Sequence, residues 1–296
     1  MDFKTELARR ALVIDQALNH CLPAADAHPS IIHEAIRYSI FAGGKRLRPA
    51  LVMASACAVD GDESLVLPAA CAVEVLHTYS LVHDDLPAMD NDDLRRGKPT
   101  SHKKFGEAIA ILAGDSMLTM AFALLAGMGA TGRVMPDKVV QVISEVALAA
   151  GTCGLIGGQV VDLLSSEKEI AQQELEYIHT HKTGALYRAS VRAGAILSGA
   201  SPDQIAKLTA YADNLGLAFQ ITDDILDIEG DEEKLGKPVG SDNINKKATY
   251  PALYGLEESR KLARAAGDRA LAALNPFGAE AEFLRLLVQF VLSRDN

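Results

Sequence analysis

Two aspartate clusters lie far apart in this chain, each inside an apolar, helix-patterned stretch. The first is His83-Asp84-Asp85-Leu86-Pro87-Ala88-Met89-Asp90, and the second is Gln220-Ile221-Thr222-Asp223-Asp224-Ile225-Leu226-Asp227. Carboxylates are rare in apolar surroundings unless they are paired or bind a cation. In the second cluster Gln220, Asp223, Asp224 and Asp227 are spaced i, i+3, i+4, i+7, which puts them on one face of a helix. Three carboxylates on one face repel each other unless cations fill the site. Hard oxygen donors suit Mg2+, whose octahedron is completed by waters and substrate phosphates. In the first cluster Pro87 interrupts the helical register, so a local bend is needed to bring Asp84 and Asp90 to one metal. Two such clusters facing across a cavity would hold several cations, and those cations would hold a diphosphate. The bland alternative, a solvated acidic stripe, is opposed by the apolar residues 215–219 and by Ile225-Leu226.

Basic groups are few but clustered. Gly43-Gly44-Lys45-Arg46-Leu47-Arg48-Pro49 places Lys45 and Arg48 on one side of an expected helical turn, after flexible glycines whose backbone N–H groups can also meet an anion. Arg95-Arg96-Gly97-Lys98 follows the first acidic cluster directly, and arginine offers a fork that matches phosphate oxygens. Lys182-Thr183-Gly184, Lys237 and Lys246-Lys247 add further cations. Interleaved acidic and basic clusters suggest two anion sites, one bridged by metal through the aspartates and one held by Lys and Arg alone. Two diphosphates handled differently imply that one leaves and the other stays.

The elements that must position these groups are helical. Ala, Leu, Glu, Lys and Gln are abundant, and no convincing alternating strand occurs. Breaks at Gly, Pro and Asp leave about ten helical segments, with no repeat, low-complexity tract or linker, so residues 1–296 are expected to form a single all-α domain. Residues 230–247, rich in Gly, Asp and Lys, are a candidate flap over the second cluster. A net charge of −10 argues against a general nucleic-acid binder. Residues 108–130 are long and apolar enough to span a bilayer, yet Asp115 sits near their middle and the chain has no Trp for an interfacial belt. A central core helix is apolar all round for the same reason, so no membrane is expected. Cys21, Cys57, Cys71 and Cys153 form no Cys-x-x-Cys pair. They read as reduced, mostly buried thiols, and the start of the chain has no apolar signal stretch; a cytoplasmic protein is expected. His179-x-His181 lacks a third ligand at zinc spacing, and no P-loop or dinucleotide fingerprint is present.

Taken together, these strings resemble the trans-isoprenyl diphosphate synthase family, most closely its bacterial farnesyl diphosphate branch. The resemblance rests on residues 43–49, 77–90, 92–97, 182–184, 216–227, 235–237 and 248–253, in the family's order from about residue 30 onward. It implies an isoprenoid synthase fold around a central cavity, usually a homodimer, with three Mg2+ ions. Carried over by position, Asp84 and Asp90, with Asp85 beside them, would bind two metals, and Asp223, supported by Asp224 and Asp227, the third. Arg95, Lys182, Lys237 and Lys247 would hold the allylic diphosphate. Lys45, Arg48, His77 and Arg96 would hold isopentenyl diphosphate. Thr183 and Gln220 would turn oxygens toward the allylic carbocation formed as diphosphate departs, and the departed diphosphate is the expected base.

The implied activity is farnesyl diphosphate synthesis from dimethylallyl, geranyl and isopentenyl diphosphates. Tyr79, five residues before Asp84 and followed by Ser80, would form the floor that stops growth at fifteen carbons, and the insertion Pro87-Ala88 accompanies it in the bacterial type. The alternatives are a geranylgeranyl or geranyl diphosphate synthase, a terpene cyclase, or a non-catalytic subunit. A cyclase normally carries Asn, Ser or Thr and Glu where this chain has Asp223-Asp224-x-x-Asp227, and it leaves residues 43–49 and His77 unexplained. A non-catalytic subunit is expected to have lost an acidic motif. One departure is the end, Ser293-Arg294-Asp295-Asn296, where relatives often carry a more basic tail; Asp295 puts a closing role for it in doubt.

Overall fold

Strong helix formers punctuated by Gly and Pro produce helices separated by short turns. The computed structural model describes residues 2–165, 172–229 and 249–294. The expected flap, Lys237, Lys246, Lys247 and Asp295 lie outside them. Among the described residues eleven α-helices are eleven residues or longer, near the expected number.

Asp2 caps α1 (Phe3–Cys21) by accepting from the Thr5 N–H at 2.9 Å. Next come α2 (Ser30–Ile40), α3 (Leu47–Cys57) and α4 (Leu67–Asp84), the last opened by a proline in its first turn. Helix α4 is buried on almost every side, from Ala69 to Val82, which explains an apolar sequence without clear amphipathicity. Short α5 (Ser101–Phe105) precedes α6 (Glu107–Gly129), whose buried residues Ala110, Ala113, Met117, Ala121, Leu125 and Met128 form one stripe. Helices α7 (Pro136–Ala150), α8 (Leu155–Ser165) and α9 (Gln172–Ile178) follow. A π-helical turn, His179–Gly184, then leads into α10 (Ala185–Leu197). Helix α11 (Pro202–Glu229) is the longest, and α12 (Tyr250–Tyr254), α13 (Leu256–Ala273) and α14 (Glu282–Ser293) close the order.

One core joins α1, α3, α4, α6, α10 and α11; a smaller one gathers Leu175, Ile178, Ile221, Ile225 and Tyr250. Helix α4 packs extensively on α6, and α11 on α13. The two aspartate clusters therefore sit on helices anchored in the core.

Three expectations need correction. Two-residue strands β1 (Leu94–Arg95) and β2 (Lys98–Pro99) pair antiparallel, and such short strands show no alternation to read. Their loop, Arg96-Gly97, has positive φ at both residues (52° and 72°), the geometry that a two-residue hairpin needs. Lys45 is not in a helical turn. Gly43, Gly44 and Arg46 all have positive φ, and α3 starts only at Leu47. Of the four cysteines, all unbridged, only Cys71 is buried; Cys153 is exposed.

Two stretches are long and apolar enough to cross a membrane by length and composition, Glu107–Gly129 and Pro136–Ser165. The second is interrupted by the turn between α7 and α8. Both leave apolar side chains exposed, including Ile111, Leu112, Leu148, Val160 and Leu164.

Candidate active site

The first cluster is built by the end of α4. The helix stops at Asp84, Asp85 caps it, and Pro87 turns the chain back. The Asp90 N–H donates to the Asp84 carbonyl at 2.9 Å, and the Met89 and Asn91 N–H groups both donate to Leu86. This bend returns Asp90 to the helix end. The Asp84 carboxylate accepts from Gln159 Nε2 at 2.6 Å and lies 3.8 Å from Lys182 Nζ. Asp85 points elsewhere: it is buried, its oxygens accept from Arg95 Nε at 2.8 and 2.9 Å, and Oδ1 lies 2.6 Å from Nη2. Burial raises the Asp85 carboxyl above its usual range, and Arg95 opposes that rise.

The second cluster divides by depth. Asp223 is half-exposed, whereas Asp224 and Asp227 are buried. Asp223 meets Arg294 Nη2 at 3.1 Å, and that nitrogen also donates to the Phe219 carbonyl at 3.0 Å. Asp224 accepts from the Tyr250 N–H at 2.9 Å and lies 3.9 Å from His179, so it fastens α12 to α11. The three aspartates share a helix, but their carboxylates do not gather into one metal-holding group.

Two cavities adjoin these clusters. A basic cavity of about 620 Å³ is lined by Gly43, Gly44, Lys45, Arg48, His77, Arg95, Arg96, Tyr187, Phe219 and Asp223. A largely apolar one of about 500 Å³ is lined by Tyr79, Ser80, Asp84, Met89, Leu118, Leu155, Gln159, Lys182 and Thr183. Arg48, His77 and Leu81 line both, so the two meet there. Gln220 is half-buried one residue beyond Phe219 on α11.

The glycine turn lets Lys45 enter the basic cavity, where its Nζ lies 5.6 Å from the Phe290 ring centroid. Burial and the nearby Arg294 lower the Lys45 pKa. Arg48 Nη1 sits 3.2 Å from His77 Nε2. Burial first, then Arg48, keeps the His77 pKa well below its ordinary value, so the ring is neutral and can accept that bond. Arg96 reaches back to donate to the Gly43 carbonyl. Arg46, between these groups in sequence, is structural: it is buried between Asp15 (2.8 Å) and Glu74 (2.6 Å).

In the apolar cavity the π-helical turn presents Lys182 and Thr183. Lys182 Nζ donates to Asp162 at 2.6 Å. Gly158 permits this, because a Cβ there would overlap the Lys182 backbone. Tyr79 is buried, edge-on to His83 with centroids 5.8 Å apart, and its hydroxyl has no partner among the described residues. Ser80 donates to the His77 carbonyl at 2.8 Å.

Sequence reasoning passed over Gln159 and Asp162, which hold Asp84 and Lys182. The available signal was two polar residues three apart on the otherwise apolar α8. His179 and His181 serve packing: the first stacks on Tyr250 at 5.4 Å and the second on Tyr177 at 3.8 Å.

Among the described residues no three His, Cys, Asp or Glu side chains stand close enough to hold a metal by themselves. The donors at the cavities are carboxylates on separate elements. That set fits Mg2+, which takes one or two protein carboxylates and completes its shell with waters and substrate phosphates, and does not fit a metal needing an all-protein cage.

The family model of the polyprenyl synthetases matches residues 29–275. The farnesyl diphosphate synthase of Geobacillus stearothermophilus is 49% identical over 268 residues, 90% of each chain. The geranylgeranyl diphosphate synthase of Cyanophora paradoxa is 46% identical, across 99% of this chain and 96% of its own. The crystal structure of geranylgeranyl pyrophosphate synthetase from Pyrococcus horikoshii superposes with a TM-score of 0.88 at 32% identity, covering 99% of this chain and 98% of that one.

Proposed function

The chain belongs to the polyprenyl synthetase family and is a trans-prenyl diphosphate synthase with the isoprenoid synthase fold, and we propose that its product is farnesyl diphosphate. On this reading it condenses isopentenyl diphosphate head-to-tail with dimethylallyl and then geranyl diphosphate. The observation that carries the chain length is Tyr79, which stands in the wall of the apolar cavity that also holds Asp84. An allylic tail extending from a diphosphate at Asp84 meets that ring.

The chemistry follows from the two cavities. Asp84 and Asp90 would hold Mg2+ on one side and Asp223 on the other, with Asp224 and Asp227 in support; bound there, it would neutralise charge on the departing diphosphate. Lys182 and Arg95, with Lys237 and Lys247, would add fixed positive charge around that leaving group. The Thr183 hydroxyl and the Gln220 amide oxygen would face the allylic cation with their negative ends. Leu118, Leu155 and Met89 line the tail's cavity and keep water from the cation. Lys45, Arg48, Arg96 and neutral His77 would hold isopentenyl diphosphate, whose double bond attacks where the two cavities meet. The proton then lost goes to the departed diphosphate.

A homodimer would cover exposed apolar residues outside the cavities, such as Ile111 and Leu112 on α6 and Leu164 on α8. The unbridged thiols support a reducing compartment, in keeping with a cytoplasmic enzyme.

The similar relatives divide between fifteen- and twenty-carbon synthases, so geranylgeranyl diphosphate is the second reading. Product chain length from dimethylallyl and isopentenyl diphosphates separates them. A dominant fifteen-carbon product supports the first reading, and a dominant twenty-carbon product replaces it with the second.

A further inference from the structure

Four arginines line the basic cavity and are held in different ways; Arg96 donates to the Gly43 carbonyl. Arg46 and Arg95 each lie against carboxylates, Arg46 on Asp15 and Glu74 and Arg95 on Asp85, which offset part of their charge. Arg48 has no ion pair among the described residues. One guanidinium nitrogen meets neutral His77 at 3.2 Å. Its Cζ lies 4.7 Å from the centroid of Tyr187, and its Nε is buried without a partner. Tyr187 is itself wholly buried on α10 at the border of the cavity, its ring 5.4 Å from that of Phe219. Among the described residues its hydroxyl also has no hydrogen-bond partner, so the ring, not the oxygen, is what these surroundings use.

An aromatic face attracts a cation through its quadrupole and fixes its position without supplying a counter-charge. A carboxylate in the same place would hold Arg48 equally well but would weaken its pull on an anion. We propose that Tyr187 is a positioning residue for the second substrate, a platform that aims Arg48 at the isopentenyl diphosphate while leaving its charge uncancelled. This rests on the assignment of the basic cavity to isopentenyl diphosphate.

The test is steady-state kinetics on the full-length protein with each substrate varied in turn. Tyr187→Leu removes the face beneath Arg48, and the KM for isopentenyl diphosphate is expected to rise roughly three- to thirtyfold, the range of a desolvated cation–π contact. The KM for the allylic substrate and kcat should stay within about twofold of wild type. Tyr187→Phe, which keeps the ring and removes only the unpaired hydroxyl, should restore the wild-type KM. In an Arg48→Gln background Tyr187→Leu should add no further increase. Should Tyr187→Leu melt below the assay temperature, Tyr187→Met fills the space without a ring and carries the same comparison. An unchanged KM in the ringless variants, a loss of kcat alone, or the same increase in the Arg48→Gln background would overturn the proposal. The isopentenyl diphosphate KM of Arg48→Gln alone tests the cavity assignment, and the differences among the Tyr187 variants test Tyr187.

Discussion

The backbone N–H of Asp90 donates to the carbonyl of Asp84 at 2.9 Å, six residues back. A straight helix would leave these residues out of line, and the turn at Pro87 brings the Asp90 backbone back to the helix end. Across the site, Asp223 is the half-exposed member of its cluster and borders the basic cavity. Asp90→Asn and Asp223→Asn keep size and shape and remove one charge each. Both are expected to lower kcat by at least about a hundredfold, the scale of losing an electrostatic stabiliser, with unchanged circular dichroism. Near-normal turnover in either variant would remove that residue from the metal site.

Tyr79→Ala opens the wall of the apolar cavity. The product is expected to lengthen to twenty carbons or more, read by mass spectrometry of the dephosphorylated alcohols. An unchanged product profile would refute the floor.

Arg46 lines the basic cavity, with its guanidinium held between Asp15 and Glu74. Its removal leaves Glu74, 3% exposed, as a buried charge without its partner. Arg46→Met is expected to cost about 3–5 kcal/mol of unfolding free energy in urea titrations. A loss below 1 kcal/mol would mean that Glu74 finds water or another donor.

His77 gives a pH signature. Its pKa in the folded protein lies well below 6.5, because burial and then Arg48 disfavour the charged ring. As pH falls below 6.5 the unfolded chain takes up this proton first. The stability tied to neutral His77 is therefore complete above that pH and is lost as pH falls toward the depressed value. Each pH unit within that window costs about 1.4 kcal/mol for this one group. His77→Gln should have a shallower decline than wild type between pH 7 and pH 5 in urea midpoints, and parallel declines would contradict this.

Much of this was legible in the sequence because the chemistry demanded residue types that packing would not choose. Aspartates inside apolar runs, and a Gly-Gly-Lys-Arg string before an apolar helix, point to cations and phosphates on elementary grounds. What stayed hidden was direction. Helical spacing put Asp223, Asp224 and Asp227 on one face, but adjacent helical positions diverge by about 100°. Asp224 accordingly turns to the Tyr250 N–H. The spacing of Lys45 and Arg48 predicts one helical turn; a left-handed Arg46 separates them, and both still border the basic cavity. Gln159 and Asp162 act on residues more than a dozen positions away, and no local pattern names a distant partner.

The most direct test is one incubation of the purified protein with dimethylallyl diphosphate, excess isopentenyl diphosphate and Mg2+, followed by dephosphorylation and mass spectrometry of the alcohols. Farnesol should dominate, and it should disappear when the metal is chelated. The absence of any alcohol longer than the starting allylic unit, from folded protein with Mg2+ supplied, would contradict prenyl transfer at this site.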